Sequence, residues 1–147
     1  MEIVTKSALE TEKLGKKLAN RILNQVQDDE SAKVICLYGE LGSGKTTFTR
    51  GFVKALNPKS RVMSPTFILI REYDGPQKIY HIDLYRLEKL EDTEGLGLKE
   101  ILASPENIVI IEWPEIIKKI LPKKRTEIYF KYLKDNGRSI HVIARSE

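Results

Sequence analysis

Apolar positions recur along this chain with two periods, and each change of period marks a new element. Leu9, Leu14, Leu18, Ile22, Leu23 and Val26 make a stripe at helical spacing, predicting a helix over roughly Ala8 to Gln27. Ser7 supplies an N-cap hydroxyl, and Glu10 three residues later completes a capping box. Met1 to Thr5 is a short β-prone stretch, and Asp28, Asp29 and Glu30 form a polar linker after the helix. Val34-Ile35-Cys36-Leu37-Tyr38 is then an apolar run of strand length, followed by a glycine-rich turn. A second helical stripe (Phe48, Phe52, Val53, Leu56) ends at Asn57-Pro58, because a residue before proline is pushed out of the helical region.

Beyond it, Val62 to Tyr73 starts with a Ser-Pro turn and continues as a strand. Asp74-Gly75-Pro76 reads as a hairpin turn that returns the chain through Lys78 to Asp83. Leu87 to Ser104 is charged and broken by Gly95 and Gly97, which suggests a short helix, a turn and another helix. Ile108 to Ile111 are four consecutive apolar residues ending on Glu112, the pattern of a buried parallel strand. Pro114 opens a helix to about Leu121, stopped by Pro122. Glu127 to Leu133 and Ser139 to Ala144 read as two strands joined by a turn at Asp135-Asn136-Gly137.

Bulk properties narrow the picture only a little. With 147 residues, no repeats and no low-complexity linker, one domain over 1–147 is expected. A net charge of +4 is compatible with a polyanionic partner without demanding one. The single cysteine, Cys36, sits in an apolar strand and reads as a core residue; a lone cysteine forms no internal disulfide, which fits a reducing cytoplasm. No run approaches about 18 apolar residues, so neither a membrane span nor a signal core is expected. Lys118, Lys119, Lys123, Lys124 and Arg125 concentrate positive charge, either as a solvated face or as a contact for an acidic partner or RNA.

Chemistry concentrates at the glycine-rich turn. Gly39, Gly44, Lys45 and Thr46 satisfy the pattern G-x-x-x-x-G-K-[ST] between a predicted strand and a predicted helix. Glycines let main-chain amides close on a phosphate at the positive end of a helix. Lys45 would reach the β- and γ-oxygens, and the Thr46 hydroxyl is placed to ligate Mg²⁺. Binding of a nucleoside triphosphate follows. Two acids that close apolar strands, Asp83 and Glu112, compete for the metal-facing role; one holds the ion directly or through water, and the other orients the attacking water. Thr66 is either a loop threonine that senses Mg²⁺ and γ-phosphate or a hydroxyl that starts a strand. His81, two residues before Asp83, reads as an orienting group. Trp113 packs near the site, and Arg138, just after the last turn, is either exposed or folded back over the nucleotide. The start of the first helix is scaffold or reaches the base.

Four segments taken together resemble the bacterial TsaE family: Gly39-Glu40-Leu41-Gly42-Ser43-Gly44-Lys45-Thr46-Thr47, Ser64-Pro65-Thr66-Phe67, His81-Ile82-Asp83-Leu84-Tyr85-Arg86 and Ile111-Glu112-Trp113-Pro114. The resemblance covers nearly the whole chain, and its one small departure is Ser43, where the family often has alanine. It implies an α/β, three-layer P-loop NTPase fold, with a mixed, mostly parallel sheet flanked by helices and finished by antiparallel strands. It also implies ATP and Mg²⁺, Thr46 and Glu112 as metal ligands, Asp83 and Thr66 in switch-like segments, Arg138 against the nucleotide, and Ala8 to Thr11 near the base. The implied role is slow ATP hydrolysis supporting threonylcarbamoyladenosine formation in tRNA beside TsaD and TsaB, with tRNA met through the complex and neither DNA nor membrane bound. Three rivals are a small-molecule kinase, which would need an acceptor pocket and an arginine-rich lid; a GTPase, for which no Asn-Lys-x-Asp motif occurs; and a nucleotide-gated binding module with negligible turnover.

Overall fold

The computed structural model describes residues 1–24, 31–62 and 69–146. The predicted end of the first helix at Gln27, the linker Asp28 to Glu30, and Ser64-Pro65-Thr66-Phe67 with its candidate Thr66 lie outside the described residues.

Strand β1 (Glu2–Thr5) leads into α1 (Ala8–Leu23), whose N-cap Ser7 is extended and accepts the Glu10 amide at 3.2 Å. Leu14, Leu18 and Ile22 are buried as the stripe predicts, but Leu9 is 62% exposed. At about 100° per residue, Leu9 falls on the far side of the helix, and Thr11 takes the buried position instead. Strand β2 (Lys33–Tyr38) runs into the glycine turn and then α2 (Lys45–Leu56), which packs along α1. The two helices touch through glycine: a Cβ on Gly51 would stand 1.9 Å from the Glu12 carbonyl oxygen, and one on Gly15 would stand 2.2 Å from that of Phe48. Backbones this close leave no room for alanine.

The remaining elements are β3 (Ile70–Tyr73), β4 (Lys78–Asp83), a 3-10 helix at Leu90–Thr93, α3 (Leu98–Ala103), β5 (Asn107–Glu112), 3-10 turns over Pro114–Ile120 with a kink at Ile117, β6 (Arg125–Tyr132) and β7 (Arg138–Arg145). The strands form one seven-stranded sheet in the order β1-β7-β6-β2-β5-β4-β3. Its centre (β6, β2, β5, β4) is parallel, while β3 pairs antiparallel with β4, β7 with β6, and β1 with β7. Every residue of β5 is buried, as its unbroken apolar run requires of a central parallel strand.

Helices cover both sides of the sheet. On one face Leu14, Leu18, Phe48 and Phe52 pack on Ile35, Leu37, Ile110 and Ile128. On the other, Leu98, Leu102 and Ile117 pack on Val34, Cys36, Ile82, Val109 and Ile111. Cys36 is buried, and burial pushes its thiol up to about 12, so it stays a protonated, inert core residue. No helix among the described residues is long and apolar enough to cross a membrane. The parallel strands β2, β5 and β4 all end at the same edge, where Leu37, Glu112 and Asp83 stand in register; α/β sheets hold ligands at such an edge.

Candidate functional site

The bend between β2 and α2 has the shape of an anion cradle. Gly39, Gly42 and Gly44 take φ of 145°, 78° and 107°, a region other residues enter at a cost. A Cβ on Gly39 would meet the Phe130 carbonyl oxygen at 2.7 Å and Ser43 Oγ at 2.8 Å, so the loop closes only with glycine there. Leu41 projects outward, 68% exposed. The first helical bond runs from the Phe48 amide to the Gly44 carbonyl, leaving the amides of α2's first turn without helical acceptors. No side chain caps this end and no acid sits in the first turn, so the helix dipole there is uncompensated. Ser43 Oγ is buried without a hydrogen-bond partner among the described residues. An uncapped amide cluster beside an orphaned hydroxyl is what a phosphate would satisfy.

Lys45, Asp83 and Glu112 converge beside this cradle. Lys45 is buried; its Nζ donates to the Gly39 carbonyl at 2.6 Å and lies 4.1 Å from the centre of the Trp113 ring. Burial pushes its ammonium down, and Glu112, Asp83 and Glu115 pull it back up. Asp83 and Glu112 face each other in the β4–β5 register. Asp83 Oδ1 accepts the Tyr85 amide at 2.9 Å, and Glu112 Oε2 is 2.7 Å from His81 Nε2. Burial raises the Asp83 carboxyl, the Tyr85 amide works against this, and the Glu112 charge adds to it. Thr46 and Thr47 are half-buried in the first turn of α2.

Trp113 takes φ 56°, ψ 55°, a left-handed conformation that costs a non-glycine residue about 1–3 kcal/mol. The strain turns the chain directly after Glu112 and sets the indole over Lys45, with the Tyr85 ring 5.1 Å away. Nothing in the residue pattern signalled this.

On the other side of the bend, a cavity of about 340 Å³ is lined by Ala8, Thr11, Gly44, Thr47 and Arg138, joined by Lys6, Ser7 and Asn136. Arg138 is folded back: its Nη2 donates to the Gly42 carbonyl at 3.2 Å, and its guanidinium lies 4.6 Å from the Tyr132 ring. Asp135 and Asn136 both have positive φ, the geometry of a tight hairpin turn that delivers Arg138 to the loop. Lys6 and Asn136 were not foreseen as lining residues, although the turn signal at Asn136 pointed to the right neighbourhood. Arg125 leaves the predicted basic surface, since its guanidinium is engaged by Glu127 and the Pro122 carbonyl.

Among the described residues no three His, Cys, Asp or Glu side chains are grouped to hold a metal ion. Mg²⁺ needs no such cluster: it keeps its waters and is bound through one or two carboxylates together with substrate phosphates. Thr46, Glu112 and Asp83 could hold it on those terms.

Comparison with known proteins agrees across sequence and structure. A family profile described as "Threonylcarbamoyl adenosine biosynthesis protein TsaE" matches residues 5–140. The chain is similar to proteins named "tRNA threonylcarbamoyladenosine biosynthesis protein TsaE": that of Bacillus subtilis is 43% identical over 76% of this chain and 69% of its own length. That of Haemophilus influenzae is 38% identical over 91% and 83%, and that of Treponema pallidum 34% over 97% and 99%. The crystal structure of Bacillus subtilis YdiB superposes with a TM-score of 0.77 and 31% identity, covering 99% of this chain and 86% of that one. With the cradle, the paired strand-end acids and a family match over nearly its whole length, the chain belongs to the TsaE family.

Proposed function

We propose that this chain binds ATP with Mg²⁺ at the β2–α2 bend, hydrolyses it slowly, and so supports formation of threonylcarbamoyladenosine in tRNA together with TsaD and TsaB. TsaD, not this chain, transfers the threonylcarbamoyl group, and tRNA is met through the complex. One observation carries the proposal: an uncapped helix N-terminus, Lys45 and two buried strand-end acids meet at one edge of a parallel sheet.

In this assignment the amides from Gly39 through Leu41, Gly42, Ser43, Gly44, Lys45, Thr46 and Thr47 wrap the β-phosphate, and Lys45 places its ammonium on the β- and γ-oxygens. Thr46 and Glu112, with Asp83 close by, would hold Mg²⁺, which would supply positive charge to those oxygens. Asp83 orients the attacking water. Arg138, Ala8 and Thr11 flank the base and ribose, and Thr66 serves as the switch threonine.

The test is phosphate release from ATP and from GTP by the purified chain, alone and with the TsaD and TsaB of the same cell. The expected result is slow ATP turnover that rises when both partners are present. A chain that binds no ATP in the presence of Mg²⁺ overturns the proposal; phosphate transfer to a small acceptor would make it a kinase.

A further inference from the structure

His81 has no place in the chemistry above, yet it is fully buried on β4, with its side chain 0% exposed against 6% for that of Glu112. It lies across from Ile110 in the β4–β5 register, so its ring reaches forward by two residues to meet Glu112. A fully buried imidazole has polar atoms to satisfy, and this one is satisfied at one nitrogen only among the described residues: Nδ1 has no hydrogen-bond partner there. A leucine would fill the same space without that cost. What the ring supplies that leucine cannot is the single 2.7 Å bond from Nε2 to Oε2.

The two strand-end acids are thereby treated alike. Asp83 commits Oδ1 to the Tyr85 amide, and Glu112 commits Oε2 to His81. Each carboxylate is left with its second oxygen outside these bonds, Oδ2 on one and Oε1 on the other. A carboxylate with one oxygen pinned cannot rotate freely and presents the other in a fixed direction.

We propose that His81 is a positioning residue: by donating Nε2–H to Oε2 it fixes the Glu112 carboxylate and reserves Oε1 for the Mg²⁺ that accompanies the triphosphate. The proposal rests on the nucleotide-binding assignment above. It goes beyond that assignment because it gives His81 a specific donor atom and makes the metal's affinity depend on a residue that never touches the metal.

The experiment compares His81→Leu, His81→Gln and His81→Asn in the full chain. Mn²⁺ affinity is read by electron paramagnetic resonance in the presence of a non-hydrolysable ATP analogue, alongside kcat and KM for ATP. Glutamine carries its amide nitrogen out to where Nε2 stands; asparagine does not reach it. Loss of an outer-shell partner typically costs about 10- to 100-fold in metal affinity or activity, so His81→Leu is expected to weaken Mn²⁺ binding and lower kcat by about 10-fold or more, with KM changed less than about 3-fold. His81→Gln is expected to recover most of both losses, and His81→Asn little. A folded His81→Leu with wild-type Mn²⁺ affinity overturns the proposal. So do equal losses in the glutamine and asparagine variants, a comparison that stands even if the leucine variant does not fold. Wild-type protein that fails to take up Mn²⁺ with the analogue overturns the nucleotide assignment itself, a result distinct from the other two.

Discussion

Two glutamates lie almost fully buried in the parallel centre of the sheet, Glu112 at the end of β5 and Glu127 in β6. Glu127 points to the face that carries Cys36, while Glu112 shares the face that packs on α1 and α2. Their surroundings differ sharply. Glu127 accepts from Arg125 Nε at 3.1 Å, with Nη2 of the same guanidinium in ion-pair contact, from Arg145 Nε, and from the hydroxyls of Tyr38 and Tyr129 at 3.3 Å. The two tyrosine rings stack 4.6 Å apart above it. Glu112 has His81 as its hydrogen-bond partner among the described residues, with Asp83 opposite and the Lys45 ammonium near enough to feel its charge. A saturated carboxylate has nothing left to offer a ligand and serves the fold. Glu112 keeps Oε1 outside its bond to His81 and faces the Asp83 carboxylate across the strand pair, a like-charge arrangement that a cation would relieve.

The largest effect that would break this contrast lies at the cradle itself. Lys45→Ala should abolish measurable ATP binding in calorimetry, because the phosphate loses its point charge in a desolvated pocket. Unchanged affinity in a folded Lys45→Ala protein would remove the assignment of the whole edge. Next comes the direct comparison. Glu112→Gln should cut turnover by about 100-fold or more while the protein stays folded, as loss of one preorganised electrostatic group commonly does. Glu127→Gln should leave turnover within about 3-fold but cost about 1–3 kcal/mol of stability in thermal or urea unfolding, since it takes the countercharge from the partly buried Arg125 guanidinium while Arg145 stays solvated. A Glu127→Gln variant as inactive as Glu112→Gln would end the distinction. Turnover that survives Glu112→Gln but not Asp83→Asn would exchange the two strand-end acids in their roles.

Two smaller effects sharpen it through pH. Burial works to raise the Glu127 carboxyl, but the Arg145 and Arg125 guanidiniums outweigh it and hold it below its ordinary 4.5. Its folded value lies below its unfolded one, so the ionised cluster stabilises fully above pH 4.5 and loses that contribution as pH falls through the folded value. Unfolding measured down this range should show wild type losing stability more steeply than Glu127→Gln; parallel curves would mean the cluster is not ionic. Asp83 runs the other way. Burial raises it, so its charged form costs the fold something at neutral pH. Asp83→Asn should melt slightly higher than wild type at pH 7 while turning over less, and the difference in melting should shrink as pH drops through the raised value and vanish below the ordinary 3.8. A lower melting temperature at pH 7 would show Asp83 to be a structural acid like Glu127.

Most of the site was legible from residue order because its requirements are local. A phosphate cradle needs glycine, lysine and threonine at set spacings on one bend, and that spacing survives in the one-dimensional chain at Gly39, Gly44, Lys45 and Thr46. The same holds for strands that end in an acid, and for the turn at Asp135-Asn136-Gly137. What the chain could not show is which side of an element packs inward and which group pairs with which. Leu9 read as core until the helix's true phase put Thr11 inside. The glycines at 15 and 51 gave no sign that two helices would meet backbone to backbone. Arg125 counted as part of a basic surface until Glu127, two residues on, was seen to engage it.

Local spacing thus determined that this protein has a glycine bend running into an uncapped helix, a threonine in that helix's first turn and two acids at strand ends, because each depends on a handful of neighbouring residues and the backbone angles they permit. Only the tertiary structure decided which glutamate is saturated and which keeps an oxygen in reserve. It also decided that Arg138 closes over the loop and that Trp113 accepts strain to cover Lys45. Those outcomes depend on strand order and register, which bring residues 31 positions or more apart to within a hydrogen bond, as with His81 and Glu112, and no pattern of neighbours encodes that distance.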